Sequence, residues 1–504
     1  MKKVKVFYNI IKGIVCVTLA IVLVTILYGC KSKSLIKRAS KNLNSYTINA
    51  TYCDEEHTVN ATEKVKYTNK TGNILNFVCF NLYGTAFSAD AVILPYTTLN
   101  AKKCFPNGLS YGDLEIISVR VDEEDADFNI VGQDNNALQI NFKNSLNNNE
   151  STEIEIVFKL TLANCTHRLG YFDGYINLGN WYPIIAVYEN GEFDITPYYS
   201  SGDPFYSECA NYNLTFNYPD KMVLGSTGQV VNSSSANGVK TVTIEAKAVR
   251  DFALILSDKF QKISSKIDDT VVNYYFYKDQ NSQKSLQTSV NALKTFSSLF
   301  GKYPYSNLSV CESNFVYGGM EYPNLVFISD DLENYEDYTY TIVHEIAHQW
   351  WYGMVGNNEY KFGFLDEGLT EYSTYLFFDE NPEYELNSKE MVKNTTNSYL
   401  LFLDVYKEVF TKVDTSMIRS LNEFSTEPEY VYISYVKSVL MFDNLKDIVG
   451  KINFLKSLRY YFNQNAGKNA TPDKLILAFN KICKQNLESY FNSWFNGSVV
   501  IENL

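Results

Sequence analysis

Two of the chain's four histidines stand four residues apart in "TIVHEIAHQWWYG", Thr341 to Gly353, with a glutamate directly after the first. Residues i and i+4 of an α-helix share a face, about 5–6 Å apart at Cβ. A helix here therefore brings His344 and His348 within reach of one ion. Zinc takes imidazole nitrogen at about 2.0–2.1 Å, and a catalytic site adds a third protein ligand and keeps one position open. Glu345 can face that open position as a general base. Two histidines on a buried helix can also be coincidence, so a third ligand decides. It stands in "FGFLDEGLTEYS", where Glu367 follows His348 by 19 positions and opens a second helical pattern. The other reading of Glu367 is a helix-start acid favoured by the dipole. Glu371, one turn on, reads as a supporting or structural group.

The rest of the sequence limits the setting of this constellation. A chain of 504 residues has room for more than one core, and its 40 tyrosines and 32 phenylalanines argue against disorder. A formal net charge of −13 excludes the clustered basic surface that nucleic acid requires. Lys2, Lys3, Lys5 and Lys12 precede an uncharged, mostly apolar run, Gly13 to Gly29, ending in "LYGC". Residues 1–30 therefore read as a targeting segment. Two forms fit: a bacterial lipoprotein signal with Cys30 lipidated after cleavage, or an uncleaved anchor helix. Either places the bulk of the chain on the outer side of the cell membrane. Beyond Cys30, seven cysteines are scattered without a CxxC pair, so they form neither a zinc ribbon nor a disulfide framework. Buried thiols, with one or two disulfides in an oxidising compartment, fit that scatter.

The texture changes along the chain. Residues 31–58 read as a tether and an entry strand. Residues 59–260 carry short alternating or apolar runs such as "KVKYTN", "STEIEIVFKL" and "NYNLTFNY", separated by turn-rich segments, which predicts a β-sheet domain. Residues 261–504 begin with short strands around "YGGMEYP" and continue in helical patterns: Tyr338–Tyr352, Glu367–Phe378, Ser388–Val405, Tyr435–Ile448, Lys451–Asn463 and Thr471–Cys483. The expected fold is α+β and multidomain, an N-terminal β-sheet domain followed by a mostly helical domain with a small sheet.

The spacing HExxH, 18 residues, Glu, followed by "DEGLTEY", resembles the gluzincins and, within them, the M1 aminopeptidase family. Two further stretches strengthen the likeness. "YGGMEYP", Tyr317 to Pro323, resembles the GxMEN signature, although Tyr322 stands where the signature has asparagine. "ISYVKSVLMF", Ile433 to Phe442, resembles the family's Tyr-x-Lys segment. "NWYP", "GDPFYSECANYNLTFNYP" and "RDFALILSDKF" resemble the end of the family's β-domain and its exit, so the likeness covers about Val59 to the C-terminus.

The resemblance implies a thermolysin-like catalytic domain, one Zn2+ per chain on His344, His348 and Glu367, and Glu345 as general base. It implies Tyr435 as the oxyanion stabiliser, ahead of Tyr430 and Tyr432. It gives Gly318, Gly319, Met320 and Glu321 to substrate binding, with Glu321 on the α-amine of a peptide. The family's amine-binding residue from the β-domain has no clear match; Asp173 and Asn177 are candidates. Large members carry a C-terminal helical domain for which the sequence to Leu504 leaves no room, which leaves peptide-length selectivity open. The expected activity is a membrane-attached zinc aminopeptidase acting on peptides with a free N-terminus. Two rivals are an endopeptidase of the wider class and a non-catalytic binding protein on the same fold.

Overall fold

The computed structural model describes residues 35–410, 413–499 and 501. The N-terminal targeting segment and Cys30 lie outside the described residues. Among the described residues no helix is long and apolar enough to cross a membrane.

The first half is built on strands in which every second side chain is buried. The eight strands of its large sheet are β1 (Ser45–Cys53), β2 (Thr58–Thr68), β3 (Asp113–Val121), β4 (Glu124–Asp125), β5 (Ser151–Thr161), β6 (Ala210–Pro219), β7 (Gln229–Ala236) and β8 (Val239–Val249). They lie in the order β7-β8-β6-β1-β2-β5-β3-β4. Period-two alternation puts Tyr46, Ile48, Ala50 and Tyr52 of β1 on the buried face. Two four-stranded sheets and one two-stranded sheet accompany it in this half.

Within the stretch read as tether and entry strand, 31–58, the strand is β1, Ser45–Cys53. That strand is interior to the sheet, antiparallel to β2 and parallel to β6, with Ser45 opposite Asn211. Its parallel partner lies more than 150 residues on in the chain, so nothing local to the stretch announces the pairing.

From Gln261 a five-stranded sheet begins: β9 (Gln261–Ile267), β10 (Thr270–Phe276), β11 (Asn307–Ser313), β12 (Gly319–Met320) and β13 (Leu325–Ser329), ordered β9-β10-β11-β13-β12. Its three inner strands run parallel. Helix α1 (Ser282–Leu299) makes the crossover that the first parallel pair requires. The helices that follow are α2 (Tyr335–Ala347), α3 (Glu367–Glu380), α4 (Ser388–Phe410), α5 (Glu427–Val431), a π-helix at Tyr432–Val436, α6 (Lys437–Val449), α7 (Lys451–Asn465), α8 (Pro472–Cys483) and α9 (Glu488–Phe495).

Two expected helices differ. The one predicted to run to Tyr352 stops at Ala347, because the chain turns at Trp350–Gly353 and Tyr352 adopts φ 135°. The one predicted to begin at Tyr435 begins at Lys437, behind the π-helix.

One apolar core runs through both halves, and Arg250 joins them. Its buried guanidinium donates to the carbonyls of Tyr352, Ser207 and Lys468 and to Asn469 Oδ1. Gly356 is needed beside it, since a Cβ there would lie 2.0 Å from the Arg250 Cζ.

Glu63 on β2 is fully buried and neither carboxylate oxygen has a hydrogen-bond partner. Burial pushes its carboxyl well above the usual range. The folded chain thus keeps a proton that the unfolded chain releases near pH 4.3. Stability is then greatest below that pH and falls as pH rises toward the folded value. In the Glu63→Gln variant this slope should vanish. Its stability relative to wild type should grow by about 1.4 kcal/mol per pH unit across the window, as read by denaturant titration at stepped pH.

Candidate active site

Helix α2 starts on Asn334, whose side chain accepts from the Asp337 N–H, and ends with His344 in its last turn. His348 sits one turn on, its N–H donating to the His344 carbonyl at 3.3 Å. Glu367 opens α3. The two imidazole Nε2 atoms are 3.2 Å apart, and Glu367 Oε2 is 3.4 Å from His344 Nε2 and 3.2 Å from His348 Nε2. The three residues expected to hold an ion therefore meet at one point.

The far sides of the rings fix their tautomers. His344 Nδ1 faces Glu371 Oε2 at 2.9 Å, and His348 Nδ1 faces the Trp351 carbonyl at 2.9 Å. Each Nδ1 thus carries a proton, and each Nε2 points at the meeting point. Outer partners of this kind orient metal-binding histidines. Burial lowers both rings' affinity for a proton, but Glu367 more than offsets this, raising His348 to about 10. Burial alone would raise Glu367; the facing histidines hold it below the ordinary range instead. Two nitrogens and one carboxylate oxygen, with the Glu367 Oε2 buried and lacking a hydrogen-bond donor, fit a zinc ligand set.

Close backbone approach positions the parts. Gly368 lets α3 lie against the start of α6, where a Cβ would come within 2.4 Å of the Ser438 Cβ. Gly319 on β12 lies over Glu345, and a Cβ there would meet the Glu345 Oε1 at 2.3 Å. Glu345 is buried with Oε2 unpartnered, and burial pushes its carboxyl up to about 7.

Glu321 follows β12 and is buried, with Oε1 unpartnered. One oxygen of Glu321, one of Glu345 and one nitrogen of His348 lie within 4.8 Å of one another. Burial, with Asp203 and then the other acids nearby, pushes the Glu321 carboxyl well up. Gln349 ties this loop to the histidine segment. Its Nε2 donates to the Glu321 and Tyr322 carbonyls, and its Oε1 accepts from the Asn324 N–H.

Tyr435 leaves the π-helix to stack over His344, ring centroids 6.1 Å apart, and burial, with Glu367 nearby, pushes its hydroxyl well up. A π-helix adds a residue to the turn, a local irregularity that recurs at functional sites. Tyr430 also lines the cavity, edge-on to Tyr435. Tyr432 turns away to stack on Phe402 and to hydrogen-bond with Ser398.

The cavity around these groups holds about 290 Å³. Gly318 and Gly319 line it. Met320 does not: its side chain is buried in the core, so only its backbone is placed near a substrate. Tyr322, the departure from the family signature, does not form the cavity wall either. It points into the β-domain, where its hydroxyl donates to Asn180 Oδ1 over the close-packed Gly179.

Neither β-domain candidate faces the site. Asp173 is a surface partner of Lys259, and Asn177 bonds to the His167 carbonyl and Ser313. Asp203 stands there instead, one of its oxygens within 4.8 Å of oxygens of Glu321 and Glu367, and it is ion-paired with the buried Arg168. The signal for it was "SGDPF": Gly202, at φ 71°, makes a turn that a larger residue would jam against Tyr430 and Leu421.

Glu371 also accepts from the Tyr340 hydroxyl at 2.6 Å. Removing it in Glu371→Ala should weaken zinc binding about 10- to 100-fold, as read by competition with a chelating indicator, with the helices intact by circular dichroism.

Residues 284–494 match the Peptidase family M1 domain. Among curated proteins, Aminopeptidase M1-D of Oryza sativa subsp. japonica is 24% identical over 305 residues, covering 56% of this chain and 34% of its own length. Endoplasmic reticulum aminopeptidase 2 of Homo sapiens is 25% identical over 288 residues, covering 51% and 28%. The chain thus spans about a third of the length of these relatives. Among solved structures, a mutant M1 zinc metallopeptidase from Deinococcus radiodurans superposes with a TM-score of 0.64 at 13% identity, covering 92% of this chain and 96% of its own. The same kind of mutant bound to a Tyr-Ser-Ala substrate gives 0.61 at 14%, covering 92% and 98%. These structures share the arrangement of β-domain and helical domain. Through residues 284–494, the domain that carries this site, the chain is similar to peptidase family M1.

Proposed function

We propose that the chain is a zinc-dependent aminopeptidase that removes the first residue from peptides with a free N-terminus. The observation that carries this reading is the placement of Glu321. A buried carboxylate without a partner calls for a cation, and it stands within 4.8 Å of Glu345 and His348. A substrate α-ammonium held there leaves room for one residue before the general base.

His344, His348 and Glu367 would hold the zinc. Bound zinc supplies a Lewis acid that acidifies water and polarises a carbonyl. Glu345, with its carboxyl near 7, takes a proton from the attacking water and returns it to the leaving amine, a task suited to a group titrating near the working pH. The Tyr435 hydroxyl donates to the oxygen that gains charge as the carbonyl becomes tetrahedral. Glu321 and Asp203 hold the ammonium by charge-assisted hydrogen bonds. The edge strand β12, paired only with β13 in its sheet, offers its backbone to the extended substrate.

Truncating one partner of such a charge pair costs about 2–5 kcal/mol. Glu321→Ala should therefore slow cleavage of free-amine reporters by roughly ten- to a hundred-fold or more. It should leave N-acetylated ones, already poor substrates, nearly unchanged. Equal cleavage of acetylated and free peptides by wild type would replace this reading with an endopeptidase.

For location we propose attachment to the outer side of the cell membrane through residues 1–30. Support comes from the basic start, the apolar run and the cysteine that follows it. Labelled fatty acid should appear at Cys30 and vanish in Cys30→Ser. A chain that stays in the membrane unlabelled, with residues 1–29 attached, would identify an anchor helix instead.

A further inference from the structure

Two of the β-domain's scattered cysteines come together behind the cavity wall. Cys104 ends the short helix Ala101–Cys104, and Cys165 lies in the turn before Leu169–Phe172. Both are free thiols in the structure and both are buried, at 0% and 1% exposure. The Cys104 carbonyl accepts from the Thr166 N–H at 2.9 Å, so the peptide groups of the two cysteines are directly bonded. The Thr166 hydroxyl reaches back to the Lys103 carbonyl at 2.9 Å. Cys165, with burial, pushes the Cys104 thiol well up, as a neighbouring thiol does. Cys165 Sγ itself donates to the nearby Leu169 carbonyl, at 3.4 Å. A disulfide needs Cα atoms about 4.4–6.8 Å apart and side chains facing one another. A directly bonded pair of peptide groups with both thiols buried beside them suits that need without moving the backbone far.

We propose that Cys104 and Cys165 are joined as a disulfide in the mature protein. The sulfur–sulfur bond forms as the two thiols give up two protons and two electrons. The acceptor is an external disulfide, which takes them and leaves as two thiols by way of a mixed disulfide. Burial of both sulfurs places this exchange before the segment around Cys104 docks, or during its local opening.

The bond would have a defined place in the architecture. The segment around Cys104 reaches the helical domain through the Lys103–Asp331 ion pair, at 3.3 Å. Cys165 precedes His167, whose Nε2 meets the Pro95 carbonyl at 3.0 Å, and Arg168, the partner of Asp203. The link would clamp the covering segment to the turn that carries Arg168.

Peptide mapping of the full chain, purified without reductant and incubated with oxidised glutathione, tests this. The expected result is a linked peptide containing Cys104 and Cys165, which separates on reduction. Alkylation after denaturation should then label both residues only in the reduced sample. Reductant should lower the wild-type Tm by about 3 °C or more and leave the Cys104→Ser/Cys165→Ser variant unmoved. Full alkylation of both cysteines without prior reduction, or either one linked to a different cysteine, would overturn the proposal. The wild-type map decides even where the variant folds poorly.

Discussion

The structure is organised around the meeting of two imidazole nitrogens and one carboxylate oxygen within 3.2–3.4 Å of one another in a buried place. Charged and polar groups leave water at high cost unless they are paired and oriented. Helix α2 and the turn after it supply the histidines and α3 the glutamate, so that contact joins the two helices. The neighbours then follow. Gly368 allows α6 to approach, Trp351 donates its indole N–H to Ser373 across the same crossing, and Glu371 and the Trp351 carbonyl hold the rings from behind. Loosening any of these would turn an Nε2 away from the others.

The β-domain is part of the site, not a carrier for it. Arg168, buried and held over the rings of Phe205 and Tyr317, presents Asp203 to the cavity. Tyr322 leaves the loop that carries Glu321 to bond to Asn180, and Gln349 pins the same loop from the other side. Arg250 fixes the halves together, and it receives the carbonyl of Tyr352, the residue forced to φ 135° directly after the histidine helix. A backbone strain of this kind persists only where the surroundings hold it. Here the guanidinium and its four acceptors do so.

Parts of this were legible before any fold was known. Period-two alternation marks most of the large sheet, and period-3.6 patterns mark the helices to within a few residues, because both reflect local burial of one face. The strand in residues 31–58 was legible, but its place in the sheet was not. The alternation of Tyr46, Ile48, Ala50 and Tyr52 is present, but its meaning depends on β6, far along the chain. Glu63 is similar: a glutamate in a strand reads as the solvent side, and only the packed sheet shows it in the core.

By itself the sequence determined the spacing of His344, Glu345, His348 and Glu367, since a helix repeats every 3.6 residues and a zinc site needs ligands at fixed reach. It also favoured Tyr435 over its neighbours, through the resemblance of the motif around it. Only the tertiary structure decided that a π-helix turns that tyrosine over His344, and that Met320 faces the core while Tyr322 faces away from the cavity. The structure alone placed Asp203, and not Asp173 or Asn177, beside Glu321. These outcomes depend on contacts between residues more than a hundred positions apart, or on one added residue in a helical turn. No local pattern records either.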